Sequence, residues 1–300
     1  MVAPAARIEI HSFESLTVTD KQFLTGARGG KPVQIGGALR LPPGSQRFPA
    51  VILVHGSAGI GAQVDRWGYE LNAIGVAAFL SDSFTGRGIV ESLTDQTRVG
   101  HLAMVVDAYR ALQLLSEHRQ IDASRIAVMG FSKGGFAALY TSLERFMRII
   151  GSAGLKFAAH VAFYPTCNTE FLEDEKVSRA PIRIFHGAAD SYVSIDCCRK
   201  YVSRLRRAGM DVQLTEFAGA HHAFDNPLYS PPKFLADAVT TIHCSRREES
   251  PGEIINCDTG QPFRWSDICV KRGATVGFDP VATAEAIKTV KKFLMDTFKL

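Results

Sequence analysis

No stretch of this 300-residue chain approaches the roughly 18 apolar residues in a row that a membrane-spanning helix needs, so no membrane partner is expected. The C-x-x-C spacing is missing too, which leaves a structural zinc site without its ligand pairs. A surplus of either charge is also lacking. The 34 basic and 30 acidic residues leave a net charge of +4, too small and too dispersed to mark a nucleic-acid surface. The one basic run, "RLRRAG" at 204–209, reads as the solvated end of a helix. Neither G-x-G-x-x-G nor GK[ST] occurs, so phosphate-cradling loops and the cofactors they hold are not expected. The N-terminal "MVAPAARIEIHSF" lacks the charged-then-apolar pattern of a signal peptide. This gives a cytoplasmic reading for the chain as it stands, or a periplasmic or secreted one if it is a trimmed mature form.

What is present is an ordinary globular composition, 46% hydrophobic and 21% charged. The six cysteines are Cys167, Cys197, Cys198, Cys244, Cys257 and Cys269. Three of them fall in the polar stretch 240–270, where a cross-link would help a small core. The set suits free thiols in a reducing compartment and disulfides in an oxidising one equally.

Short apolar runs occupy 49–56, 76–82, 125–131, 157–165, 181–187 and 211–217. Several are continuously apolar, the mark of strands covered on both faces. Segments 66–74, 94–117, 134–149, 195–208 and 281–298 carry helical periodicity, with Leu102, Val105, Val106, Tyr109, Leu112 and Leu115 forming one stripe. Alternation of this kind predicts one α/β domain over 1–300, with a mainly parallel sheet of about eight strands and helices on both faces. Residues 7–43 read as an antiparallel pair leading into the first parallel strand. Residues 226–279 have little periodicity and read as an irregular insertion, either a cap over a pocket or a surface excursion.

The run "RIAVMGFSKGGFAALY" (125–140) places Gly130-x-Ser132-x-Gly134 where a strand hands over to a helix. That is the pattern of a nucleophile elbow, a turn tight enough to hold a serine in a strained conformation. A serine hydroxyl needs a base to take its proton and a third group to orient that base. In chain order, "IRIFHGAADSYV" puts Asp190 just past a strand, and "LTEFAGAHHAFD" puts His221 and His222 after the next one. An oxyanion needs donors as well. The backbone amide of Lys133 supplies one. The loop "HGSAGIG" (55–61) supplies the other, from Ser57 or else Ala58.

"VILVHGSAG", "GFSKGG", "HGAAD" and "GAHHAF", in that order, resemble the dienelactone hydrolase family of α/β-hydrolases over about residues 48–225 and the closing helix. The resemblance implies an α/β-hydrolase fold with Ser132 as nucleophile, Asp190 as acid and His222 as base, His221 being its neighbouring alternative. It implies no metal and no cofactor. Enzymes that open dienelactones carry cysteine at the elbow, so serine here moves the expectation to a carboxylesterase. A lactone hydrolase and a non-catalytic ligand-binding protein are the alternatives. The expected partner is a small-molecule ester or lactone, and the chain is expected to be a monomer or homodimer. In "DSFTGRG" (82–88), Arg87 is read either as a contact for an acidic substrate group or as a structural arginine.

Overall fold

The continuously apolar runs form the middle of one sheet because helices dry both of its faces. The computed structural model describes residues 7–27, 29–151 and 154–300. Along the chain, β1 (Arg7–Thr17), α1 (Asp20–Leu24) and β2 (Lys31–Leu41) precede β3 (Phe48–Val54), α2 (Ala62–Asn72) and β4 (Ala77–Asp82). Next come α3 (His101–Ser116), β5 (Ile121–Phe131), α4 (Lys133–Tyr140), α5 (Glu144–Ile150), β6 (His160–Phe163) and β7 (Thr169–Glu170). They are followed by β8 (Ile182–Gly187), α6 (Ile195–Arg207) and β9 (Val212–Phe217). The C-terminal part holds β10 (Lys233–Thr240), β11 (Arg246–Ser250), β12 (Glu253–Asn256), β13 (Gln261–Pro262), β14 (Lys271–Val276) and α7 (Pro280–Phe298).

Eight strands form the central sheet in the order β1-β2-β4-β3-β5-β6-β8-β9. The β1/β2 and β2/β4 pairs are antiparallel, and β4 through β9 run parallel. Every residue of β3 is buried. Its side chains alternate between two cores. Ile52 and Val54 join Leu102, Val105, Leu112 and Val128 on one face, while Val51 and Leu53 join Trp67, Leu71, Val290 and Leu294 on the other. From β3 the chain crosses to β4 on one side and then to β5 on the other. The loops at the carboxyl ends of β3 and β5 therefore part from each other, opening the crevice that such sheets use for ligands.

Three expectations need correcting. The helix read over 134–149 is two, α4 and α5. The hydroxyls of Thr141 and Ser142 donate back to the carbonyls of Ala138 (2.8 Å) and Leu139 (2.6 Å), and Leu143 is extended. Local bonds of this type end helices. The helix read from 94 begins at His101, after a short 3-10 turn at Gln96–Arg98. Residues 226–279 are not irregular. There β10 and β14 form a two-stranded ribbon, and β11, β12 and β13 form a sheet with β7 of the main body. Polar, half-exposed strands of two to eight residues, two of their pairings broken by bulges, carry no sustained two-residue period, so the sequence pattern hid them.

This segment is tied down covalently and electrostatically. A disulfide joins Cys244 to Cys269 across 25 positions, while Cys167, Cys197, Cys198 and Cys257 are free. Arg145 of α5 forms a buried two-point ion pair with Glu248 of β11, at 2.5 and 2.8 Å. The Glu248 carboxylate also accepts the amides of Leu172 and Gly252, each at 3.1 Å. Closing a loop of this length is worth roughly 3 to 4 kcal/mol in chain entropy. Cys244→Ala/Cys269→Ala is expected to lose about that much stability in urea denaturation, and dithiothreitol should reproduce the loss in the wild type. An unchanged midpoint would mean that the ion pair alone holds the segment.

Candidate active site

Ser132 stands between β5 and α4 with φ 53° and ψ −113°, a left-handed conformation that a side chain adopts only when its surroundings impose it. The surroundings here are backbone. A Cβ on Gly130 would come within 2.0 Å of the Gly134 carbonyl oxygen, and one on Gly134 within 2.1 Å of the Val54 oxygen. Only glycine fits at either position. The strand, the turn and the first turn of α4 are pressed together against the end of β3, and Ser132 is pushed out into the crevice.

The structure brings the three expected side chains together. His222 Nε2 lies 2.9 Å from Ser132 Oγ, and His222 Nδ1 lies 2.7 Å from Asp190 Oδ2. A carboxylate can only accept, so Nδ1 carries the proton and Nε2 is left to accept from the serine hydroxyl. Asp190 Oδ1 accepts the amides of Tyr192 (2.7 Å) and Val193 (2.8 Å). Burial alone would raise the Asp190 pKa. The His222 imidazole, its hydrogen bond, nearby His186 and the Val193 amide outweigh that, and the carboxyl lies below its ordinary value. It stays ionised beside the imidazole. His221 faces elsewhere, its Nδ1 3.2 Å from the Ala189 carbonyl oxygen. The histidine at bonding distance is therefore His222.

Ser57 is buried and lines the same cleft as Ser132 and His222, whereas Ala58 is exposed. The preceding Gly56 is so close to the elbow that a Cβ there would sit 3.4 Å from the Ser132 Cβ. Lys133 opens α4, so its amide has no acceptor within the helix. Arg87 does not reach the cleft. Its guanidinium makes a two-point bond to buried Asp107 (2.7 and 3.0 Å) and donates to Ser83 O, Thr17 Oγ1 and Leu16 O. It pins β1 and the 83–88 loop to α3, which is the structural one of its two readings.

Several neighbours were not singled out from sequence. The His222 ring is flanked by Tyr164 and Tyr192, with ring centroids 4.5 and 4.8 Å away. Beneath it, Asp225 is wholly buried and accepts from Tyr164 Oη (2.7 Å), Gln63 Nε2 (2.7 Å) and Trp67 Nε1 (2.8 Å). Burial pushes its pKa up, while the bonds from Trp67, Tyr164 and Gln63 pull it part of the way back. The Asp in "HHAFD" was the available signal. Its partners come from 61 to 162 positions away in sequence, and spacing cannot reveal them.

The Lys133 side chain is also buried. Nζ donates to Ser92 Oγ (3.2 Å), Gln96 O (3.0 Å) and Gln96 Oε1 (3.2 Å). Gln96 Oε1 in turn accepts from Ser57 Oγ (3.1 Å), and Gln96 Nε2 donates to Tyr192 Oη (3.3 Å). One carboxamide thus links residues on both flanks of Ser132. Burial lowers the Lys133 pKa from 10.5 to about 7, against a smaller upward pull from Asp20 and Asp95.

The model of the dienelactone hydrolase family matches residues 35–238. A curated relative from Bradyrhizobium sp., described as a probable 2-oxo-3-(5-oxofuran-2-ylidene)propanoate lactonase, is 24% identical over 200 residues, 62% of this chain and 77% of its own length. Among solved structures, the dienelactone hydrolase-like promiscuous phosphotriesterase P91 from metagenomic libraries aligns with a TM-score of 0.63 at 19% identity, covering 97% of this chain and 98% of that one. A putative dienelactone hydrolase from Klebsiella pneumoniae aligns at 0.52 and 18% identity, covering 72% and 88%. At such identities the structural likeness speaks for the fold: an α/β-hydrolase, as expected.

The lysine gives a pH test. From its folded value of about 7 up to its ordinary 10.5, the unfolded chain holds a proton that the folded chain has released. Stability therefore rises with pH through this window and is lowest below it. Urea denaturation of wild type and Lys133→Met should show the wild type gaining on the variant by up to about 1.4 kcal/mol per pH unit from neutrality upward. Parallel pH profiles would contradict the burial of a charge at this position.

Proposed function

The chain belongs to the dienelactone hydrolase family, and from that premise we propose that it is a serine hydrolase cleaving carboxylic esters through an acyl-enzyme. Membership makes it a hydrolase of the ester and lactone class. The observation that carries the finer reading is the continuous hydrogen-bonded path from Ser132 Oγ through His222 to Asp190, at 2.9 and 2.7 Å. In this mechanism Ser132 Oγ attacks the ester carbonyl while its proton passes to His222 Nε2. The carbonyl π-bond electrons move onto oxygen, facing the amides of Ser57 and Lys133. Collapse of this intermediate breaks the bond to the leaving oxygen, which takes the proton from His222. Water then repeats the sequence and releases the acid. Asp190 keeps the imidazole in the right tautomer and balances its charge while it holds the second proton.

Serine in place of cysteine favours the ester over the dienelactone substrate, and no step calls for a metal or cofactor. The lactonase reading keeps the same residues and differs only in that the leaving oxygen stays tethered to the acyl group. The binding-protein reading leaves a strained, base-paired serine without a purpose, since such strain is costly to maintain.

A fluorophosphonate probe is expected to label Ser132 in the wild type and to leave Ser132→Ala unlabelled. Ser132→Ala and His222→Ala should each lower kcat for a naphthyl ester by about 10⁴-fold or more, and Asp190→Asn by about 10⁴-fold. Folded, monodisperse wild type that is neither labelled nor active on esters or lactones would refute the proposal in favour of a binding role. Unsaturated lactones outpacing esters on one preparation would move it to the lactonase.

A further inference from the structure

Ser132 opens onto two unequal lobes, and only one of them contains the imidazole. The larger lobe, about 180 Å³, is walled by Phe131, Tyr164, Tyr192, Tyr229 and Leu235 and includes His222. The smaller, about 30 Å³, is walled by Thr166, Asn168, Thr240, Thr241, Ile242 and Trp265 and does not include His222. Ser57, Ser132 and Tyr192 belong to both. An ester bound at Ser132 must divide between them. Its leaving oxygen needs the proton on His222 Nε2, and a proton donor works only within hydrogen-bond reach. The alcohol half must therefore occupy the large lobe, which leaves the acyl half the small one.

From this partition we propose that the substrates are esters of a short acyl group, two or three carbons long, with a bulky apolar or aromatic alcohol. The inference rests on the serine-hydrolase reading above. A water molecule needs roughly 10–15 Å³ of such space, so a lobe of about 30 Å³ takes two or three non-hydrogen atoms, the carbonyl carbon included. The large lobe offers three tyrosine rings and a phenylalanine ring to a flat apolar group, contacts that suit aromatic surfaces.

The segment 226–279 supplies one wall of the small lobe. Thr240, Thr241 and Ile242 come from the end of β10 and the turn after it, and Trp265 comes from the stretch between β13 and β14. The Cys244–Cys269 disulfide joins the two pieces. Asn168 Nδ2 donates to the carbonyls of Thr241 (2.7 Å) and Cys244 (3.0 Å), holding them to the main body. A wall fixed by a covalent bond and buried hydrogen bonds does not yield to a longer chain.

The test is a chain-length series on the full-length oxidised protein: 2-naphthylmethyl acetate, propionate, butyrate and hexanoate, with ethyl acetate for the alcohol side. Expected are a kcat/KM for hexanoate at least about tenfold below acetate, in line with the cost of methylenes that do not fit a pocket, and naphthylmethyl acetate well above ethyl acetate. Trp265→Ala should raise the hexanoate-to-acetate ratio about tenfold. Ile242→Ala should raise it in the same direction, covering the case in which the tryptophan variant does not fold. Tyr229→Ala, on the other lobe, should lower the preference for naphthylmethyl over ethyl and leave the acyl ratio alone. A wild type that prefers hexanoate, or acyl ratios unmoved in both folded small-lobe variants, overturns this partition even where Ser132 is labelled and esters are turned over. A protein that neither labels nor turns over any ester fails at the earlier proposal.

Discussion

The rest of this structure depends on the close approach of three backbone segments behind Ser132. The end of β3, the end of β5 and the first turn of α4 touch at distances that leave no room for a Cβ on Gly130 or Gly134. That contact imposes the left-handed turn at Ser132, and the two buried cores on either side of the sheet sustain it. The strain, of order 1–3 kcal/mol, is small beside what those cores contribute, which is why it can persist. Because the elbow is fixed by backbone, the serine oxygen is placed before any substrate arrives.

Around this fixed point the polar groups are organised in tiers. Asp190 has both oxygens engaged, one by two amides and one by His222. Asp225 anchors the loop beneath the imidazole through three donors, two from α2 and one from the residue that follows β6. Gln96 connects Ser57, Lys133 and Tyr192. Networks in which each member has its partners rigidify a site, because a lost bond would leave a buried group unpaired at considerable cost. The His222 backbone is held as well. Its carbonyl accepts from the Gly277 amide at 3.0 Å, and it forms an isolated parallel bridge with Val276 of β14. The C-terminal segment therefore touches the His222 backbone while other parts of it border Ser132.

Much of this was legible in the residues themselves. The continuous apolar runs at 49–56, 76–82 and 125–131 specified strands buried on both faces, and the sheet contains them. The G-x-S-x-G pattern at a strand-to-helix joint carries its own steric reason, so Ser132 could be singled out without coordinates. Asp190 and His222 were visible as chemistry-bearing residues at strand ends in the required order. The choice of His222 over His221 and of the structural reading for Arg87 followed only once distances were known. Neighbours in a chain point in different directions, and spacing does not say which.

Local pattern thus determined the element types, their alternation and the serine at the elbow, since hydrophobic period and glycine sterics act over a few residues. Tertiary structure alone decided the pairing of Cys244 with Cys269, the strands hidden in 226–279, the buried links through Asp225 and Gln96, and the two unequal lobes beside Ser132. Each of these brings together groups that are distant in sequence, and whether they meet is settled by how the sheet and its helices pack, which no short window of residues encodes.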